Sequence, residues 1–284
     1  MSLAWAWMPR TPIITEVVET VELTPHLIRV VVTGEDLRDF PVGEFSDHYV
    51  KLQFPPPGAD YEVPFDPAEI KANRPKDQWF RQRTYTVRGW DPESTELTID
   101  FVHHGDIGLA GPWAANAKPG DLLQMVGPGG DYSPSPSADW HLLVGDEAVI
   151  PAISVALERI PGGVPVHVFL EVEDENGQLE LTSTGDLQLT WLYRGGDNGG
   201  RSLLPEAIAG LEFPEGDVYA FVHGEAGMVR EIRKYLVLER GVPKENLSAT
   251  GYWKYSRTEE GWREDKPEWK RLAALDLANE ADSK

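Results

Sequence analysis

Hydrophobic positions in the first half of the chain recur in short β-branched runs broken by turn residues. Residues 13–33 carry two of them, Ile13 to Val18 and His26 to Val32, divided by Thr24-Pro25, and read as two strands joined by a turn. Asp47 to Phe54 is a third run, stopped by Pro55-Pro56-Pro57. Arg83 to Arg88 is a fourth, bounded by Gln82 and the turn Gly89-Trp90-Asp91-Pro92; Glu96 to Val102 and Leu122 to Val126 follow. Between Pro55 and about Gln82 the sequence is rich in proline and charge and shows no period, which predicts a long surface excursion. Short strands, turns between them and few helical signals predict a small antiparallel β-barrel.

The pattern changes after Gly127-Pro128-Gly129-Gly130 and Ser133-Pro134-Ser135-Pro136-Ser137, a stretch with linker chemistry. Beyond it strand-like runs at 141–145, 164–171, 189–193, 218–223 and 247–253 alternate with helical patterns at 150–159, 202–211 and 226–240. That rhythm predicts a parallel sheet with helical crossovers. The tail, 262–284, sets Leu272, Leu275 and Leu277 among charges and reads as a C-terminal helix. The expectation is a two-domain chain, an N-terminal antiparallel β-barrel over 1–131 followed by a C-terminal α/β domain over 138–284.

A length of 284 residues suits two domains, each able to bury its own core. The formal charge of −21 (26 basic against 47 acidic residues) disfavours nucleic acid and anionic membrane surfaces, so an anionic ligand needs local basic groups. Without cysteine, disulfides, zinc–thiolate sites, thiol nucleophiles and Cys-ligated iron–sulfur clusters are excluded. Residues Met1 to Pro9 show neither a basic n-region nor a sustained apolar h-region, and no stretch approaches the roughly 20 apolar residues of a membrane span. A soluble, cytoplasmic protein is expected.

Candidate chemistry begins on the fourth strand. Alternation puts Arg83, Tyr85 and Val87 on one face and Thr84, Thr86 and Arg88 on the other. A guanidinium beside a phenol ring suits a ligand with a phosphate end and a flat aromatic end, although ordinary cross-strand pairing explains the same residues. The Gly/Ala-rich run from His103 to Ala114 leads toward a helix and would expose amide groups to a pyrophosphate, unless it is a plain turn. His103 and His104 are adjacent on a strand, point to opposite faces and do not suit chelation of one ion. In the second half, Gly145-Asp146-Glu147 and His223-Gly224-Glu225 stand at carboxyl ends of strands, where α/β sheets bind ligands. No Gly-x-Gly-x-x-Gly follows the first of these strands, and tight turning also accounts for both glycines.

The order Arg83-Thr84-Tyr85-Thr86 resembles the flavin-binding motif of ferredoxin-reductase-like flavoproteins. With Val87-Arg88 it is similar to that of the siderophore-interacting protein family, FAD-dependent ferric-siderophore reductases. His104-Gly105-Asp106 followed by Gly108, Ala110, Trp113 and Ala114 is similar to the next family pattern. Leu109, Gly111 and Pro112 depart from it, and Gly111 replaces a serine, removing a hydroxyl donor while leaving backbone donors. Gly145-Asp146-Glu147 with Pro151-Ala152, and Gly224-Glu225, match two later turns. The most specific match is Gly251-Tyr252-Trp253-Lys254-Tyr255-Ser256-Arg257-Thr258-Glu259-Glu260-Gly261, with Ser256 where glycine is usual.

The resemblance spans nearly the whole chain and implies particular roles. Arg83 would meet the FAD diphosphate, Tyr85 stack on the isoalloxazine and Thr86 lie near the flavin N5, with Thr84 and Val87 beside them. Asp100, Phe101, Val102 and His104 would line the pocket, and Gly108, Ala110, Gly111 and Trp113 would form the phosphate turn. Gly145, Asp146, Glu147, His223, Gly224 and Glu225 would face NADH or NADPH. The carboxylates of Glu171-Val172-Glu173-Asp174 favour NADH, although acidic loop ends are common in so acidic a chain. Lys51, Lys254 and Arg257 would hold an anionic ferric siderophore, with Arg74, Lys76 and Arg81 as further basic positions. Reduced nicotinamide would reduce the flavin, the flavin would reduce Fe(III), and the weakened chelate would release Fe(II) without any protein nucleophile. Two other readings remain open: a flavin-dependent reductase serving a quinone or an electron-carrier protein, and a non-catalytic siderophore-binding protein that has lost its flavin. An electron-carrier protein could also be the reductant.

Overall fold

The computed structural model describes residues 11–196 and 199–279. The expectation for residues 1–9 lies outside this range, as does the tail beyond residue 279. The chain divides into two compact units, one built on residues up to Gly130 and one from Asp131 onward; the short segments Glu22–Leu27 and Glu44–Asp47 group with the second.

The first unit is a seven-stranded sheet of β1 (Ile13–Thr24), β2 (Leu27–Thr33), β3 (Tyr49–Phe54), β4 (Arg81–Thr86), β5 (Gly89–Asp91), β6 (Glu96–Val102) and β7 (Leu122–Gly129), in the order β4-β3-β7-β1-β2-β6-β5. The pairs β1–β7, β3–β4, β3–β7 and β5–β6 are antiparallel. The sheet curls like a barrel: the Tyr85 ring on β4 lies 4.4 Å from Phe101 on β6, although four strands separate β4 and β6 in the sheet. Period-2 alternation fills the interior with Val30, Val32, Val50, Leu52, Leu97, Ile99, Leu123 and Met125, all buried. This is the antiparallel barrel-like unit expected from the sequence.

Two short elements differ from the expectation. The excursion after β3 contains a helix, α1 (Pro67–Asn73), whose start is fixed by the Asp66 carboxylate accepting from the amides of Ala68 (2.7 Å) and Glu69 (3.3 Å). Asp66-Pro67 is a legible cap with proline at the first helical position, but seven residues are too few to show a hydrophobic period. Gly89-Trp90-Asp91, read as a turn, forms β5, with Trp90 opposite Leu97. The Gly/Ala-rich run does lead into a helix, α2 (Ala110–Asn116).

The second unit is a five-stranded, all-parallel sheet. Its elements are β8 (Trp140–Asp146), α3 (Ile150–Leu157), β9 (Pro165–Val172), β10 (Asp186–Tyr193), α4 (Leu204–Ala209), β11 (Val218–Glu225), α5 (Ala226–Leu238), β12 (Leu247–Trp253) and α6 (Glu259–Asn279). The strand order is β10-β9-β8-β11-β12. The chain winds outward from β8 and then crosses to its other side at β11, so the order reverses between these two central strands. Every residue of β8 is buried, as a parallel strand covered on both faces requires. The last helix docks along Trp262, Trp269, Ala273 and Leu277, a stripe at helical spacing, with the Trp269 indole donating to the Ala226 carbonyl at 2.8 Å. Among the described residues no helix is long and apolar enough to cross a membrane.

Candidate functional site

In the first unit the register of β3 against β4 places Tyr85 opposite Val50, Arg83 opposite Leu52 and Thr84 opposite Lys51. Arg83 and Tyr85 therefore share the face of the core residues Val50 and Leu52, and Thr84 and Lys51 share the other. Tyr85 is half-buried, with its ring against Phe101; Phe101 in turn meets Trp113 at 5.7 Å, and Trp113 meets Phe54 at 5.7 Å. The fourth strand, the end of β6 and the first turn of α2 thus converge on one aromatic wall. Arg83 is half-buried and donates to the Gln82 carbonyl at 2.8 Å.

At the start of α2 no side chain caps the helix, and Leu109 occupies the cap position. Pro112 has no amide hydrogen, so Ala110 and Gly111 are the first-turn residues that carry donors without an intrahelical acceptor. A Cβ on Gly111 would lie 2.8 Å from the Val102 carbonyl oxygen, so this backbone approach excludes a larger residue unless β6 shifts. Gly108, at φ 95°, and exposed His104 belong to the preceding turn. A supported ring face, a cation on the same strand face and uncapped amides form the donor set and platform that a flavin with a diphosphate needs, so these residues fit FAD.

Several residues expected at the flavin are committed elsewhere. Asp100 is buried and bidentate with Arg29 on β2, at 2.7 and 2.8 Å, so its carboxylate is the counterion of that guanidinium. Phe101 is fully buried and acts from behind Tyr85. Val102 is half-buried at the end of β6; Thr86 is buried, Thr84 exposed, and Val87 lies past the end of β4 in the core.

In the second unit the two glycine turns prove to be one construction at the reversal of strand order. A Cβ on Gly145 would lie 2.9 Å from the His223 carbonyl oxygen, and one on Gly224 would lie 2.4 Å from the Asp146 carboxylate. Gly224 also adopts φ 125°, open to glycine. The Asp146 carboxylate fills the space that Gly224 leaves, and Val149 that of Gly145. The carboxylate accepts from the amide of Glu225 and the indole of Trp253, both at 2.8 Å, and from the amide of Ala148 at 3.0 Å. Burial pushes this carboxyl up to about 7; the neighbouring Glu147 adds to the rise, and the three donors work against it.

Glu147 does not face an open site: it is buried and bidentate with Arg194, which follows β10. Burial works against the Arg194 charge, but the Glu147 carboxylate outweighs it and holds the guanidinium above its ordinary range. Glu171 is also buried, accepting from the Ser202 hydroxyl (2.9 Å) and the Leu203 amide (2.5 Å), which leaves Glu173 as the more open of the two carboxylates. His223 is buried, stacked on Phe221 with 3.8 Å between ring centroids, and hydrogen-bonded through Nε2 to Ser248 Oγ. Burial lowers its pKa to about 3, so it is a neutral core group. Glu225 caps α5 through the amides of Gly227 and Met228 and accepts from Tyr255 N at 3.2 Å.

Trp253 and Tyr255 are thus tied on either side of Lys254, by Asp146 and by Glu225. Lys254 and Arg257 both meet Asp265 on α6, a residue that nothing in the sequence singles out. Arg194 and Arg29 were missed for the same reason. Each pairs with an acid 47 or more residues away, a relation without local signature. Arg74, in the excursion, pairs with Asp60 and lies over the Tyr61 ring.

A family model described as siderophore-interacting FAD-binding domain matches residues 16–132, and one described as siderophore-interacting protein matches residues 138–256. The chain is 40% identical over 265 residues to an uncharacterized protein of Mycobacterium tuberculosis, covering 89% of this chain and 94% of that one. It is 34% identical over 258 residues to the ferric vibriobactin reductase ViuB of Vibrio cholerae, covering 90% and 94%. The crystal structure of a siderophore utilization protein from T. fusca matches with a TM-score of 0.77 at 35% identity, over 89% of this chain and 96% of that one.

Proposed function

Because the chain belongs to the siderophore-interacting protein family, whose N-terminal domain binds FAD, we propose that it is a ferric-siderophore reductase of the cytoplasm that draws electrons from NADH or NADPH and frees Fe(II). FAD, when bound, accepts electrons in pairs from reduced nicotinamide and releases them singly to Fe(III). The observation that carries the reading is the Tyr85 ring, packed against Phe101, which itself meets Trp113, with Arg83 on the same strand face. In this reading residues 1–131 form the FAD domain and 138–284 the NAD(P)H domain.

Tyr85 offers its face to the flavin rings, and Phe101 keeps that face from tilting. Arg83 and the amides of Ala110 and Gly111 receive the diphosphate charge; Thr86 stands next to Tyr85 on the strand. The backbone at Gly145 and Gly224 receives the dinucleotide, with Asp146 fixing the two turns. Lys254 and Arg257 supply the local positive charge that a chain of −21 needs to hold an anionic ferric chelate. The name of the Vibrio relative, a ferric vibriobactin reductase, supports this substrate class.

The test is a visible spectrum of the purified protein, repeated anaerobically with NADH and then with a ferric siderophore and a ferrous chelator. The expected result is flavin absorbance that bleaches with NADH and returns as the ferrous chelate forms. Tyr85→Ala should weaken FAD retention about tenfold or more, because it removes the stacked ring. A wild-type protein that FAD does not reconstitute would overturn the reading.

A further inference from the structure

The two basic residues of the Gly251–Gly261 segment share one carboxylate. Arg257 donates through Nε to Asp265 Oδ2 at 2.7 Å and through a terminal nitrogen to Oδ1 at 2.8 Å. Lys254 Nζ lies 3.7 Å from the same Oδ2. The Arg257 amide donates to the Lys254 carbonyl at 3.1 Å, so both cations issue from one turn. Asp265 belongs to α6, and the docking of that helix sets its position. Trp262, three residues earlier, is 2% exposed; Trp269, four residues later, is bonded to the Ala226 carbonyl. The carboxylate is therefore presented by an anchored helix and not by a loop free to swing away.

An ion pair so open to solvent adds little to the stability of the fold. Its effect on charge is larger. Within this triad two positive side chains and one negative leave a single net positive charge, where Lys254 and Arg257 alone carry two. The guanidinium fork is engaged on both oxygens, so a ligand oxygen must compete with Asp265 for those donors. The Arg257 hydrogen bonds hold the Asp265 carboxyl below its ordinary range, so it stays ionised through neutral and mildly acidic pH.

We propose that Asp265 is a specificity-determining residue of the siderophore site: by occupying Arg257 and Lys254 it lowers the preference for highly anionic ferric chelates and admits neutral ones. The proposal rests on the reading of Lys254 and Arg257 as siderophore-holding residues. It deepens that reading by assigning the charge class of the substrate to a third side chain.

The test is tryptophan fluorescence titration of the FAD-loaded protein with two probes, a hexadentate ferric tris-catecholate, which is trianionic, and a hexadentate ferric trihydroxamate, which is neutral. In Asp265→Asn the Kd for the tris-catecholate, taken relative to that for the trihydroxamate, is expected to fall about tenfold. The gain should shrink as salt rises from about 0.01 M to about 0.5 M, because screening acts on the charge and not on the shape of the site. Asp265→Glu should keep the wild-type ratio, and Asp265→Ser, a second charge-removing variant, should follow Asp265→Asn. A ratio unchanged in both charge-removing variants, or a change that salt does not touch, would overturn the proposal. Wild-type protein that binds neither chelate would overturn the functional reading and this proposal with it. Binding of both chelates without reduction would remove the reductase reading alone, and the ratio would still decide this one.

Discussion

Ser256 stands in the turn between Lys254 and Arg257 at φ 61°, a region that L-residues rarely adopt. The family pattern has glycine here, and the backbone shows why. Left-handed geometry costs an L-residue about 1–2 kcal/mol. Glycine's greater freedom in the unfolded chain offsets about 0.5–1 kcal/mol of that. Ser256→Gly is therefore expected to stabilise the protein by about 0.5–1 kcal/mol, read from urea unfolding curves with an unchanged m-value. A loss of stability would mean that the serine hydroxyl offsets the strain. At this scale the sequence displays residue types but not their partners. Arg83 and Tyr85 were legible because alternation alone puts them on one face. The pairing of Asp100 with Arg29 spans 71 residues and that of Glu147 with Arg194 spans 47, so neither ion pair was legible.

The strand ends of the second unit are held by one buried carboxylate. Asp146 ends β8, accepts from the last residue of β11 and accepts from the last residue of β12, so three elements meet on it. With its pKa up at about 7, chiefly through burial, the carboxyl keeps a proton in the folded chain that the unfolded chain releases above its ordinary value of 3.8. The stability linked to this proton is fully present below about pH 4, is lost as pH rises and is gone above about pH 7. Asp146→Asn removes the linkage and leaves a constant offset. Urea unfolding of both proteins between about pH 4 and pH 8 should show wild type losing on the order of 1–4 kcal/mol relative to the variant. A difference that stays flat across this range would show that Asp146 is ionised throughout. The elements themselves were largely legible: β12 has the bounds its β-branched and aromatic run predicted, and the alternation of strands and helices gave the parallel sheet. Order within that sheet was not, because nothing local says that β11 crosses back to lie beside β8. The seven-residue α1 and three-residue β5 lack the length over which a period emerges.

Across the whole molecule the charge of −21 sets the terms on which an anionic ligand arrives, whatever holds it afterward. Composition made the total plain at once; where the compensating cations stand, and that Asp265 offsets two of them, required the fold. The two ranges of the electrostatics separate by distance. Within about a Debye length an approaching anion meets the summed negative field, and only within the last few ångströms does it meet single side chains individually. The Debye length falls from about 30 Å at about 0.01 M salt to about 8 Å at about 0.15 M, so added salt removes long-range repulsion before it weakens close contacts. The association rate of a trianionic ferric tris-catecholate should therefore rise several-fold over that range, while that of a neutral ferric trihydroxamate stays constant. Stopped-flow fluorescence at varied ionic strength measures both. A trianionic rate that falls with salt would mean that the basic residues gather into a field strong enough to steer, and that the net charge of the chain does not govern approach to the site.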